Sequence, residues 1–418
     1  MPGPEAEAST AMTDAASVSA AAASVVRRSA ARLIALLAAP TRDIPLAEDV
    51  LADAVERALL RWPVDGVPDN PEAWLLTVAR NRQRDLLGGA ARTRSAPLDE
   101  ESVMHTIDDA LEGIDAIPDK RLELLYVCAH PAIDPGIRTP LMLQTVLGVD
   151  AAVIARAFAV PESAMAQRLV RAKRRIKLAG IPFVVPTKRD LAGRTSAVLE
   201  AVYGAYALDS TESGELAFEA LHLAMTTATL LPDDAEAAGL AALIALSLAR
   251  VDARVVSGEY VPLDGQDTAL WSRPLIETGE RMLTHAFALG RPGRFQLEAA
   301  IQSAHDSRID GGVVDVRALV DLHAALVAVQ PTLGSRVAHA AAVGRADGAS
   351  AGLDVLEAMA PAAERFQPYW ATKAHLLEAI GAPESSAAYA RAIELCDDPP
   401  ARRHLERRRA ALETAGPD

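Results

Sequence analysis

The sequence predicts an all-α chain. Half of its 418 residues are hydrophobic but only 4% are aromatic, and alanine dominates the apolar set. That composition suits closely spaced helices better than sheets. Apolar residues recur at helical spacing, and clusters of Pro, Gly and Asp separate the stretches that show it. At this length two to four domains are expected, with ample core. Cys128 and Cys396 are the only cysteines and stand far apart, so no disulfide framework is expected and a reducing cytoplasm fits.

The opening segment, MPGPEAEASTAMTDAAS (1–17), contains acids but no Lys or Arg. It lacks the positive region of a signal peptide and reads as a disordered tail. Residues 18–88 then form a first domain of three helices: an alanine-rich one from Val18 to Ala38, an acidic one from Leu46 to Trp62, and a third from Pro71 to Leu87. The loop between the last two, PVDGVPDNP, is too rich in Pro, Asp and Gly to be regular. Gly88-Gly89 opens a polar, acidic linker over 89–116, and 117–180 forms a second helical domain. GIPFVVP (180–186) ends that domain and makes a short extended connector. From about 190 onward the chain is helical again, with turns at 231–235, 257–268, 290–294 and 308–312.

This last part divides into a helical extension (187–274) and a region of repeats (275–415). AFALGRP (286–292), ALVAVQP (325–331) and AIELCDDP (392–399) each end a helical pattern with proline, and Pro361 marks another such boundary. The spacing is near the 34-residue period of tetratricopeptide helix pairs, units that bury their apolar faces only by stacking on neighbours.

The segment 150–177, DAAVIARAFAVPESAMAQRLVRAKRRIK, says most about function. Asp150 is placed to cap a first helix that presents Ile154, Ala155 and Phe158 inward. Pro161 suits the first turn of a second helix. That helix carries Met165, Leu169, Ala172 and Ile176 on one face. Arg168, Arg171, Lys173, Arg174, Arg175 and Lys177 occupy the others, with no acid among them. A short helix packed under a basic one is the helix-turn-helix plan for the DNA major groove; a solvated basic helix in an ordinary bundle is the competing account.

Net charge is −14, an unusual balance for a DNA-binding chain until it is divided. Residues 1–180 carry a net −3 and residues 181–418 a net −11. Phosphate attraction acts over roughly 8–10 Å at physiological salt, so local charge decides contact. The acidic half is expected to weaken nonspecific binding.

No enzyme site assembles from the sequence. There is no Walker loop, no paired-His zinc motif and no G-x-S-x-G elbow, so no catalytic residue, metal or cofactor is expected. Cys128 and His130 have no second pair to complete a metal site. Asp264, Asp267 and Asp310 lie in Gly-containing turns, where turn formation accounts for them better than calcium does. No apolar run is long and charge-free enough to cross a membrane, so a cytoplasmic protein with no membrane partner is expected.

Four segments in order, LAEDVLADAVERALLRWPVDGVPDNPEAWLLTVARNRQRD (46–85), CAHPAI (128–133), IARAFAVPESAMAQRLVRAKRRIKLAGIPF (154–183) and LDGQDTALW (263–271), resemble extracytoplasmic-function (group IV) RNA polymerase sigma factors. The similarity is to the subgroup with a C-terminal tetratricopeptide-like extension. It implies that 18–88 is a sigma region 2 domain binding core RNA polymerase and the promoter −10 element, and that 117–180 is a region 4 domain reading the −35 element.

By that resemblance Glu48, Asp49, Asp53, Glu56 and Arg57 dock on polymerase. Asp65, Asn70, Trp74, Arg80, Arg82 and Arg84 meet −10 DNA, although Trp74 also fits a core position. Glu162, Ser163, Ala164, Gln167 and Arg168 face base edges or nearby phosphates. Arg171, Lys173, Arg174, Arg175 and Lys177 bind the DNA backbone. The implied role is promoter recognition and transcription initiation, modulated in cis by the extension, which would also offer a surface for a protein or ligand. The alternative is a DNA-binding regulator whose helical array senses a ligand or protein without joining polymerase. The chain departs from the family at Ala52 and Val55, where Gln and a bulky aromatic are usual, at GGAARTR after Leu87, and at VYGAYALDS (202–210).

Overall fold

The computed structural model describes residues 29–88, 119–183, 188–209 and 214–414. The expected tail (1–17), the start of the first expected helix and the linker 89–116 lie outside the described residues. Among those described, the chain is all-α apart from one two-stranded ribbon. It divides into two compact units, Met1–Leu216 and Ala217–Asp418.

In the first unit, α1 (residues 29–41) buries Leu33 and Leu37, and α2 (Ile44–Asp65) buries Ile44, Ala47, Val50, Leu51, Ala54, Ala58 and Trp62. The three- and four-residue spacing of that set forms one apolar stripe. The helix extends past both expected ends. Asp43 is the N-cap, its carboxylate accepting from Leu46 N at 3.2 Å, with a proline in the first turn. At the other end Pro63, Val64 and Asp65 are helical, not loop. Pro63 forgoes one hydrogen bond close to the helix end, and Gly66, at φ 86°, closes the helix by donating to Trp62 O at 3.0 Å. The α3 helix (Pro71–Gly88) packs on α2. Asn70 Oδ1 caps it by accepting from Ala73 N at 3.0 Å, and the buried Gln83 reaches back to Leu37 O at 2.9 Å.

After the linker come α4 (Asp119–Cys128), α5 (Pro135–Thr145), α6 (Ala151–Ala157), α7 (Glu162–Leu178) and α8 (Lys188–Leu208). Asp134 caps α5 by accepting from Gly136 N at 2.7 Å. The α8 helix packs on α4 and α5, and the buried Tyr126 and Thr195 hydroxyls meet at 3.3 Å.

The second unit opens with α9 (Glu215–Leu230) and α10 (Ala235–Leu248). Nearly every residue of α10 is buried, as its run of alanine and leucine on all faces requires. The next helix, α11 (Arg273–Ala288), approaches so closely that a Cβ on Gly279 would sit 2.5 Å from Leu246 Cγ. Between α10 and α11 lies a feature absent from the sequence reading: an antiparallel ribbon of β1 (Val255–Val256) and β2 (Glu259–Tyr260). Its turn residues Ser257 and Gly258 both have positive φ, 53° and 78°, the backbone of a two-residue hairpin loop.

Helices α12 (Arg294–Asp306), α13 (Val316–Val329), α14 (Leu333–Asp347), α15 (Ala349–Glu357), α16 (Gln367–Ala379), α17 (Ser385–Glu394) and α18 (Pro399–Thr414) follow. The α12 helix packs most heavily on α10, and the others mainly on their sequence neighbours. The last one also meets the ribbon. Arg403 donates to Gly258 O at 2.6 Å, and Glu259 pairs with Arg403 and Arg407. No described helix is long and apolar enough to cross a membrane.

Candidate nucleic-acid interface

The two helices of the expected helix-turn-helix are α6 and α7. Asp150 caps α6 as its position predicts, accepting from Ala152 N at 2.7 Å. Ile154 and Ala155 are buried, but Phe158 is 41% exposed. The helix stops at Ala157, and Ala159 takes φ 51°, so the chain turns before Phe158 can point inward. Pro161 occupies the N-cap of α7, one position before the first turn.

Met165, Leu169, Ala172 and Ile176 are all buried, and α5, α6 and α7 pack on one another. The basic helix is therefore seated by the predicted face. On the opposite face Ser163, Gln167, Arg171, Arg174 and Arg175 are exposed, as is Glu162 at the helix start, while Ala164 and Arg168 are half-buried. Arg168 donates to Gly136 O at 3.0 Å, which holds its guanidinium beside the N-terminus of α5. Arg175 Nε lies 3.5 Å from Ala132 O. Arg171 and Arg174 have no carboxylate partner among the described residues.

Two expected DNA contacts are placed differently. Lys173 is buried, and its Nζ lies 2.5 Å from Glu48 Oε1 on α2. Lys177 Nζ lies 2.5 Å from Asp43 Oδ2. Both lysines sit on the flank of α7 between its buried face and its open face, where α2 packs. Lys173 is thereby enclosed and turned away from any phosphate, whereas Lys177 pairs with Asp43 while its side chain stays 58% exposed. Arg42 and Asp43 have no place in the sequence reading, yet both join this contact, with Arg42 donating to Gly180 O at 3.2 Å.

On α2 the expected polymerase-docking residues split. Asp49, Glu56 and Arg57 are exposed, whereas Glu48 is held by Lys173 and Asp53 by Arg82 at 2.7 Å. Leu60 and Val64, further along α2, are 71% and 84% exposed.

The expected −10 residues are also only partly open. Trp74 is half-buried and meets Trp62 edge-on at 5.6 Å. Arg82 is engaged by Asp53, Arg84 donates to Asn81, and Asn70 serves as the α3 cap. Asp65 is exposed. Burial and the nearby Arg84 push the Arg80 pKa below its ordinary value.

No group of three or more potential metal ligands occurs among the described residues. The Cys128 thiol is buried and its pKa is raised by that burial, while His130 Nδ1 accepts from Ala132 N at 3.1 Å. Asp264 pairs with Arg345 at 3.1 Å, Asp310 with Arg273 at 2.8 Å, and Asp267 caps a short turn through Ala269 N.

In the second unit the segment 263–271 is anchored by Trp271. That ring is 5% exposed and lies between the guanidinium groups of Arg250 and Arg308, at 5.8 and 5.6 Å. Asp306, 1% exposed, pairs with Arg250 at 3.2 Å, and burial pushes its carboxyl pKa up to about 7. A cleft of about 420 Å³ opens between α16 and α17, lined by Trp370, Lys373, Leu377, Glu384 and Arg391 among others. The Lys373 ammonium stands 5.5 Å over the Trp370 ring.

Fold and site together define an all-α protein with two short helices joined by a turn, the second of them cationic, and a second, separately packed helical unit. Residues 194–287 match the model of a "Family of unknown function (DUF6596)". The "Uncharacterized protein R00370" of Rhizobium meliloti (strain 1021) is 35% identical over 370 residues, spanning 85% of this chain and 87% of that protein. The chain belongs to the family of that protein. No solved structure matches.

Proposed function

We propose that this chain is an RNA polymerase sigma factor of the extracytoplasmic-function type. It would direct core polymerase to specific promoters in the cytoplasm, with its C-terminal helical unit modulating that activity. One observation supports the reading above the others. Met165, Leu169, Ala172 and Ile176 seat α7 on a three-helix unit while Gln167, Arg171, Arg174 and Arg175 remain open. This is the arrangement a helix needs to enter a major groove, with polar groups for base edges and cations for phosphates. On this reading α2 offers Asp49 and Glu56 to polymerase, α3 supplies Arg80 to −10 DNA, and the chemistry belongs to the polymerase. The cleft lined by Trp370 and Lys373 is where the array would take a protein or ligand.

The test is reconstitution. Genomic fragments retained by the chain together with core polymerase are sequenced, and run-off transcription is measured from the enriched sites. The proposal expects co-purification with core enzyme and discrete transcripts that Arg171→Ala/Arg174→Ala reduces. Specific duplex binding without association with core enzyme would replace it with the regulator reading.

A further inference from the structure

Between α10 and α11 of the second unit, residues 255–271 form only the ribbon and two short turns, Leu263–Gly265 and Thr268–Leu270. The two ends of this stretch are held differently. Gln266 and Trp271 are buried, with the Trp271 ring between Arg250 and Arg308. From Arg254 to Gly265, by contrast, no residue is buried. With so little apolar surface covered, this outer part belongs to the least stable portion of the unit.

Arginines from successive parts of the helical stack hold it instead. Arg308, just after α12, donates to Leu263 O at 2.6 Å and to Asp264 O at 3.2 Å. Arg345, in the last turn of α14, pairs with the Asp264 carboxylate at 3.1 Å. Arg403 of α18 donates to Gly258 O at 2.6 Å, and Glu259 pairs with both Arg403 and Arg407. His404 meets the Tyr260 ring edge-on at 5.5 Å. Three of these acceptors are main-chain carbonyls, which any extended peptide supplies, and the other two are carboxylates. Residues 181–418 carry a net −11, yet four cations converge under this one stretch.

We propose that residues 254–265 are the built-in occupant of a peptide-binding surface formed by Arg308, Arg345, Arg403 and Arg407, and that an extended acidic segment of a partner protein takes their place. Gln266 and Trp271 keep the displaced stretch attached, so the exchange leaves the helices stacked. A tethered segment competes at an effective concentration on the order of millimolar, so the partner segment must carry more negative charge than Glu259 and Asp264 supply. This surface shares no lining residue with the cleft between α16 and α17. The inference does not depend on whether the chain joins polymerase.

The test titrates the full chain with a fluorescein-labelled synthetic peptide of its own residues 255–267, VVSGEYVPLDGQD, read by anisotropy. Wild type is compared with Glu259→Gln/Asp264→Asn, and with that variant carrying Arg345→Ala/Arg403→Ala/Arg407→Ala as well. All five side chains are exposed or half-buried, so the fold should be untouched, and a thermal melt of each form checks this.

Neutralising the built-in stretch loosens its hold on the arginines. Glu259→Gln/Asp264→Asn is expected to bind the peptide about tenfold more tightly than wild type, the combined effect of the exposed ion pairs it lacks. Added salt should weaken that binding, and removing the three arginines should cancel the gain. Equal affinity in wild type and Glu259→Gln/Asp264→Asn, or binding to neither, overturns the proposal, because the stretch is then not what fills the surface. So does a gain that survives the loss of Arg345, Arg403 and Arg407, which would put the peptide elsewhere on the chain.

Discussion

Replacing Arg171 and Arg174 with alanine removes two cations from the open face of α7 without touching its seat. Both side chains are exposed, and neither pairs with a carboxylate among the described residues. The substitution should therefore leave stability within about 0.5 kcal/mol. DNA binding is a different matter. Each phosphate neutralised contributes about 0.9 to the slope of log affinity against log salt.

If Arg171, Arg174 and Arg175 each hold one phosphate, the wild-type slope is at least about 2.7. Affinity then falls roughly 40-fold between 50 and 200 mM salt. With Arg175 alone the slope is about 0.9 and the fall only about 3.5-fold. Fluorescence anisotropy of a labelled duplex, titrated at four salt concentrations, reads the slope directly, and a thermal melt of the same variant checks that the fold is intact. A slope that stays at the wild-type value in a folded double variant refutes the assignment of α7 as the DNA-facing helix.

Three further outcomes follow from the packing. Leu169→Ala removes a side chain 1% exposed under α7 and should cost about 3 kcal/mol in urea unfolding of the first unit. A loss below about 1 kcal/mol would mean that α7 is not seated as described. Gly279→Ala puts a methyl 2.5 Å from Leu246 Cγ and should lower stability of the second unit by about 1–3 kcal/mol, read by hydrogen exchange in α10 and α11; unchanged protection would contradict so close an approach.

Stability of the second unit should also depend on pH in two opposed ways. Burial lowers the pKa values of His305 and His323 to about 4, so their contribution is present above about 6.5 and lost as pH falls toward 4. With both rings partly exposed, that loss is about 1–2 kcal/mol per histidine. Burial raises Asp306 to about 7, so its contribution is complete below about 3.8 and lost as pH rises through 7. Urea midpoints from pH 4 to 8.5 should peak near pH 6.5, and Asp306→Asn should abolish the fall above the peak. A wild-type curve that keeps rising past pH 7 would contradict the raised carboxyl.

Local rules made much of this molecule readable. Helical spacing identified the residues that seat α7, and a single aspartate at position 150 marked where α6 begins. Both signals lie within a few residues of the feature they predict. Lys173 shows where such reasoning stops. Its position on the flank of α7 follows from the helix period, but its burial depends on Glu48, 125 residues earlier. Phe158 fits the apolar face of α6 on paper and misses it because the helix ends one residue before it. Pro63 is a stop signal that the chain overrides. Asp43 and the proline two residues later were a legible helix start, and Ser257-Gly258 between paired residues a legible turn. The turn is expected from residue 257 onward, but the strands it joins are only two residues each, too short for an alternating pattern to show.

The ribbon at 255–260 gives the second unit an unusual boundary. Stacked helices ordinarily loosen from their terminal members, because each outermost helix has a neighbour on one side only. Here the final helix is fastened through Arg403 and Arg407 to a hairpin that precedes the first stacked pair. Unfolding the final helix must therefore break its contacts with the hairpin as well as its packing on α17, so it is held on two sides where a terminal member of such a stack is ordinarily held on one.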